Sequence, residues 1–168
     1  MNELIICCNT IAFLFGMFVT YIIYGQVKEH YTYDEPKLNE IRNIFKTFFS
    51  KKRHWEYPLD MLNKKNIMGK IILYRGNKSF TINKKDTFIC LKDTNGSYYK
   101  NNMLIYVTAH EISHSLTDEV GHTKKFYRIY DALLKELERD GIYDPNIPIN
   151  ENYCTNGDPE IKKSRLNI

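Results

Sequence analysis

The sequence predicts an α+β domain behind a single N-terminal transmembrane helix, and three observations carry that prediction. Residues 4–24 (LIICCNTIAFLFGMFVTYIIY) hold no charge, and every Lys and Arg of the chain follows them. Residues 70–92 break into short β-branched and aromatic runs, while the segments on either side repeat apolar residues at helical spacing. Of the 168 residues, about 144 follow the uncharged run, enough for one core and too few for two. A charged fraction of 26% and a hydrophobic fraction of 43% exclude disordered and collagen-like chains.

The uncharged run would rise about 31 Å as a helix, which matches the hydrocarbon core of a bilayer. A cleavable signal peptide needs a basic n-region and a small-residue cleavage site; here Met-Asn-Glu precedes the run and no A-x-A follows it. The expected organisation is an anchor over residues 1–24, a tether over 25–35 and a folded domain over 36–168. Lys28, Lys37 and Arg42 lie C-terminal to the run, against no basic residue before it. The positive-inside rule then predicts a single-pass protein, N-terminus outside, with its C-terminal domain in the cytosol or a virion interior. Cys7 and Cys8 fall within the run, suited to apolar packing or to reversible palmitoylation. Cys90 and Cys154 alone do not make a disulfide framework, so the expectation is a reducing compartment.

From Pro36 onward Leu38, Ile41, Ile44, Phe45, Phe48 and Phe49 recur at helical spacing. Asp34 offers an N-cap, and Lys51-Lys52-Arg53 suit the negative end of the helix dipole. After a short helix near residues 59–62, the runs 70–75, 79–83 and 87–92 read as strands of a small, mostly antiparallel sheet, with a turn at Asn95-Gly96. A helix over about 103–116 follows, capped by Asn101 or Asn102, with the stripe Ile105, Ala109, Ile112 and Leu116. The last helix begins near Thr123, carries Phe126, Ile129, Tyr130, Leu133, Leu134 and Leu137 on one face, and stops at Gly141. Beyond it Pro145 and Pro148 indicate an extended tail.

The chemistry concentrates in VTAHEISHSLTDEVGHTKKFY. His110 and His114 are four apart, so their imidazoles stand on one side of the helix. Ile112 lies about 200° round from His110, which sets the pair opposite the apolar stripe. Glu111 projects beside that pair, where an HExxH glutamate takes a proton from a metal-activated water. A third ligand must come from elsewhere. His122 is favoured, because Gly121 allows the tight turn that returns its ring; Glu136 is the rival, at a longer spacing. Three nitrogens and an open position are the coordination of catalytic zinc.

The run HEISH, followed by GHTKKFY, resembles the WLM and SprT-like metallopeptidases, with their HExxH, third histidine and an aromatic a few residues on. The approach FICLKDTNGSYYKNNMLIYVTAHE also resembles the strand, hairpin and helix entry of that family, and the likeness covers about residues 65–155. The N-terminal run and YDPNIPINENYC are similar to versions encoded by large nucleocytoplasmic DNA viruses, which would place the chain in a host or virion membrane. The resemblance implies a zincin-like fold, Zn2+ on His110, His114 and His122, and Glu111 as catalytic glutamate. Two features depart from it: a seven-residue linker between His114 and His122, and the lack of a zinc ribbon or other DNA-binding module.

The function expected is therefore a zinc metalloendopeptidase with Glu111 as general base. Tyr153, in the tail, is a candidate transition-state stabiliser. The strand at 87–92 could hold a substrate peptide by edge addition, or be an internal strand. Lys64-Lys65, Lys84-Lys85, Lys124-Lys125 and Lys162-Lys163 would serve a phosphate path or simply a solvated surface. Expected partners are a protein or peptide substrate, the lipid bilayer through residues 4–24, and other virion or membrane proteins; DNA contact has no dedicated module behind it. The competing reading is a non-catalytic, membrane-anchored structural or assembly protein of a virion whose zinc staples the fold. Such sites are usually closed and often use cysteine.

Overall fold

The structure, a computed structural model, describes residues 2–32, 35–63, 69–150 and 153–154, with side chains from residue 10 to 25 in the first stretch. Lys64-Lys65, Lys162-Lys163 and the side chains of Cys7 and Cys8 lie outside the described residues. Contacts divide the chain into two units, residues 1–33 and 34–168.

The first unit is helix α1 (Asn2–Thr32). Among the described residues no helix is long and apolar enough to cross a membrane. The expected transmembrane helix is therefore not seen, and the topology and localisation derived from it are withdrawn. The physical reason lies in the composition of residues 10–25. Thr10, Thr20, Tyr21 and Tyr24 put hydroxyls in that stretch, and Gly16 and Gly25 add no apolar surface. The helix also continues through Gly25 to Thr32, where a tether was expected.

The second unit begins with α2 (Pro36–Ser50), which buries Leu38, Ile41, Phe45 and Phe48. Glu35, not Asp34, occupies its N-cap position, without a capping side-chain bond. The basic triplet reaches away from its own helix end: Arg53 lies over Phe48 and Trp55, and Lys51 and Arg53 both pair with Asp140. A 3-10 turn (Asp60–Asn63) follows, held to Trp55 by the Asn63 side chain, whose Oδ1 accepts from the Trp55 amide at 2.9 Å and whose Nδ2 donates to the Trp55 carbonyl at 2.7 Å.

Strands β1 (Ile72–Gly76), β2 (Phe80–Ile82) and β3 (Asp86–Cys90) make a sheet in the order β1-β3-β2. It is mixed, not mostly antiparallel: β1 runs parallel to β3, with Leu73 opposite Thr87, and β2 runs antiparallel to it, with Thr81 opposite Thr87. Alternation along a strand sets its two faces and says nothing of its neighbours, so the sequence could not order these three. The turn after β1 demands glycine at 76, where a Cβ would sit 2.6 Å from the Lys78 carbonyl oxygen. Asn83 and Lys84 adopt positive φ to close the β2–β3 hairpin.

Helix α3 (Asn101–Leu116) crosses the inner face of this sheet and also packs on α2 and α4. It is buried on nearly every side, so the expected single apolar stripe understates it. Neither Asn101 nor Asn102 caps it; Lys100 is the N-cap residue, and Asn102 instead exchanges hydrogen bonds with the Asp144 backbone at 2.8 and 2.9 Å. Helix α4 (Lys124–Arg139) is capped by the Thr123 hydroxyl, which accepts from the Phe126 amide at 3.2 Å. Its buried face is Phe126, Ile129, Tyr130, Leu133 and Leu137. It ends at Gly141, with φ of 69° and its amide on the Glu138 carbonyl.

The tail then returns to the sheet. Tyr143 stacks on Tyr106, and Cys154 forms a disulfide with Cys90, their Cα atoms 6.3 Å apart. This corrects the reading of two reduced thiols; the partners are 64 residues apart in sequence, and only the return of the tail joins them.

Candidate metal centre

His110 and His114 occupy successive turns of α3, ring centroids 5.1 Å apart. The helix ends at Thr117, and the loop to α4 turns at Gly121, whose φ of 82° suits a residue without a Cβ. That turn returns His122, so that its ring centroid lies 4.8 Å from each of the other two. The Nε2 atoms of His122 and His110 are 2.9 Å apart. One ligand nitrogen from each of the three lies within 4.8 Å of the others, close enough to bind a metal ion.

The surroundings favour a neutral, oriented His110 ring. His110 is 1% exposed, and burial, followed by the neighbouring His114 and His122, pushes its pKa well below the usual imidazole value. A neutral ring keeps the lone pair that a metal needs. The Nδ1 of His110 is buried without a hydrogen-bond partner, so packing sets its orientation: Phe126 and Tyr130 meet the ring edge-on at 4.9 and 5.2 Å. Phe126 also touches the other two imidazoles, with centroids at 4.3 Å from His114 and 4.8 Å from His122.

The donor set fits a tetrahedral cation. Two nitrogens each about 2.0 Å from such an ion stand about 3.3 Å apart, so the closest pair here needs to open by only a few tenths of an ångström. Three imidazoles suit zinc, copper, iron and nickel alike, so the donors define a metal site without naming the metal. Glu136 is not part of it. That carboxylate pairs with Arg53 at 3.0 Å and with Arg139.

Glu111 is 3% exposed and, with His114, forms one wall of a cleft of about 420 Å³. The same cleft is lined by Phe80 and Thr81 of β2, by Asn83 and Lys84 of the hairpin, and by Val120 and Gly121 of the loop after α3. The Thr81 hydroxyl lies 3.0 Å from both Oε2 and the main-chain oxygen of Glu111. Lys84 donates to the carbonyls of Thr117 and Glu119 and so ties the hairpin to the histidine loop. Neither residue was expected at the site from sequence.

Tyr153 is buried behind the cleft, its hydroxyl donating to the Cys90 carbonyl at 2.6 Å and lying 2.7 Å from the hydroxyl of Ser79, which lines the cleft; burial, and further the Glu111 charge, raise its pKa. The strand read as either a substrate-accepting edge or an internal strand is β3, the central strand, paired on both sides. Among the described strands, the edge beside the cleft is β2.

Together these features define an α+β domain that can hold a metal ion on three histidines. No family model and no solved structure matches the chain. It is similar to uncharacterized protein 136R of Invertebrate iridescent virus 6, with 52% identity over 99 residues covering 57% of this chain and 56% of that one. A similar match, 38% over 99 residues, joins 58% of the chain to 62% of uncharacterized protein 042R of Invertebrate iridescent virus 3. Uncharacterized protein R325 of Acanthamoeba polyphaga mimivirus is 37% identical over 59 residues, 34% of this chain and 30% of its own length. The chain thus spans about six tenths of the length of the two iridescent-virus proteins it matches. All three are viral proteins, and their names assign no activity.

Proposed function

We propose that this domain is a zinc-dependent metallopeptidase of the WLM and SprT-like kind, with Glu111 as general base. The observation that carries the reading is a conjunction: three convergent imidazoles, one of which, His114, lines a cleft together with Glu111, a carboxylate that is not one of the ligands, and with the edge strand β2. When bound, zinc would supply Lewis acidity at a carbonyl oxygen and make water acidic enough to give hydroxide near neutral pH. His110, His114 and His122 hold the ion. Glu111 takes the proton of the attacking water and passes it to the leaving amine, base first and then acid. An extended peptide adds to the free edge of β2 by main-chain hydrogen bonds, which brings its backbone alongside the cleft that Glu111 lines.

A second reading, a metal-stapled structural protein of a virion, draws on the depth of His110 and on its contacts with both helices. That reading has no use for Glu111 at the cleft. Glu111→Gln separates the two: bound zinc and melting temperature should persist, while cleavage of a denatured protein falls by 10²-fold or more. Unchanged cleavage, or none in the wild type, overturns the peptidase reading. In the same assays His122→Ala should lose zinc and Glu136→Ala should keep it, because only His122 reaches the cluster; the reverse result overturns the ligand set.

A further inference from the structure

We infer that Thr81, backed by Thr87, is the positioning residue for the Glu111 carboxylate. The inference rests on the peptidase reading of Glu111 and adds the residue that aims it. The Thr81 hydroxyl is 3.0 Å from Glu111 Oε2, 3.0 Å from the Glu111 carbonyl oxygen and 3.2 Å from the Thr87 hydroxyl.

Proton counting orders this network. A hydroxyl has one hydrogen to donate, and an ionised carboxylate and a carbonyl only accept. Thr81 must therefore donate toward Glu111, and Thr87, fully buried on the central strand, must donate to Thr81. The chain runs one way, from β3 through β2 to α3, and its last hydrogen is shared between the carboxylate and the carbonyl oxygen of Glu111. A hydrogen bond to a charged acceptor in a low-dielectric site is among the stronger ones, and cooperative polarisation by Thr87 strengthens it.

The placement of Thr81 supports a role beyond filling space. In β2 the apolar Phe80 and Ile82 are exposed, at 41% and 45%, and the polar residue between them faces the interior. A strand chosen only to bury apolar surface would be turned the other way. Because the same hydroxyl meets both the side chain and the main chain of Glu111, it also sets the distance between the base and the sheet edge that would carry the peptide.

Steady-state cleavage by the full zinc-loaded chain tests this with Thr81→Val and Thr81→Ser. Losing one charge-assisted bond predicts a fall in kcat of about tenfold to a hundredfold in Thr81→Val with little change in KM. Thr81→Ser, which restores the hydroxyl, should return to within a few-fold of wild type. Zinc content should be equal in all three. Acetohydroxamate affinity reads the carboxylate without turnover, since that ligand donates a proton to it, and should weaken in Thr81→Val and recover in Thr81→Ser. If Thr81→Val melts far below wild type, Thr87→Val, which removes only the backing donor, should show the same pattern at smaller size. Wild-type kcat and acetohydroxamate affinity in Thr81→Val, alongside cleavage that Glu111→Gln abolishes, overturns this inference alone. Cleavage that survives Glu111→Gln, or is absent from the wild type, overturns the peptidase reading and this inference with it.

Discussion

His110 shows how one side chain can be costly to bury and useful there. Its ring sits among Phe126, Tyr130 and two other imidazoles, and burial holds it neutral well below the pH at which a free histidine gains its proton. The linkage has a definite sign. The folded state resists the proton that the unfolded state accepts below about pH 6.5, so the unfolded form binds more protons as pH falls. The metal-free protein should hold a constant urea midpoint above about pH 7 and lose stability as pH drops below about 6.5, continuing down to the lowered folded value. His110→Phe should flatten that slope, and chemical denaturation across pH checks it. The histidines and Glu111 were readable at this scale because their spacing is local, four residues and one residue along a helix. Thr81 was not, since nothing in a strand's sequence reveals that a polar residue faces inward to meet a carboxylate 30 positions away.

Between residue and domain stand the two connections that assemble the site. The loop from α3 to α4 must reverse within a few residues, and it does so at Gly121 with Lys84 fastened to its carbonyls. Replacing Gly121 by Ala forces a Cβ into the left-handed region, at about 1–2 kcal/mol. The strain falls on the residue before His122, so metal affinity should fall several-fold with only a small loss of helix content. Isothermal titration of the metal-free protein with zinc, beside circular dichroism, reads both. Helices α2 and α4 were legible because their apolar residues repeat at the helical period, and the Thr123 cap and Gly141 stop mark the ends of α4. The sheet was legible only as three strands. Its parallel pair depends on the chain crossing the end of β3 between Gly76 and Phe80, which no local pattern encodes.

At the scale of the whole molecule the Cys90–Cys154 disulfide ties the returning tail to the central strand, beside Tyr153. Closing a loop of 64 residues stabilises the folded state by about 4 kcal/mol in the chain-entropy account. Cys154→Ser, or a reductant, should lower the urea midpoint accordingly, while zinc binding persists because α3 and the turn at Gly121, not the bond itself, present the three histidines; unchanged stability on reduction would remove the bond from the account. The uncharged N-terminal run teaches the opposite lesson: freedom from charge is read directly from sequence, but a span also needs length and hydropathy, and no described helix meets both. By itself the sequence determined the α+β class, the helices and the motif that presents His110, Glu111 and His114, because each depends on neighbours within a few residues. Tertiary structure alone decided that His122 and not Glu136 joins the cluster, that β2 rather than β3 borders the cleft, and that Cys90 meets Cys154. Those outcomes turn on which distant segments share space, a matter of packing the whole chain at once, and periodicity carries no record of it.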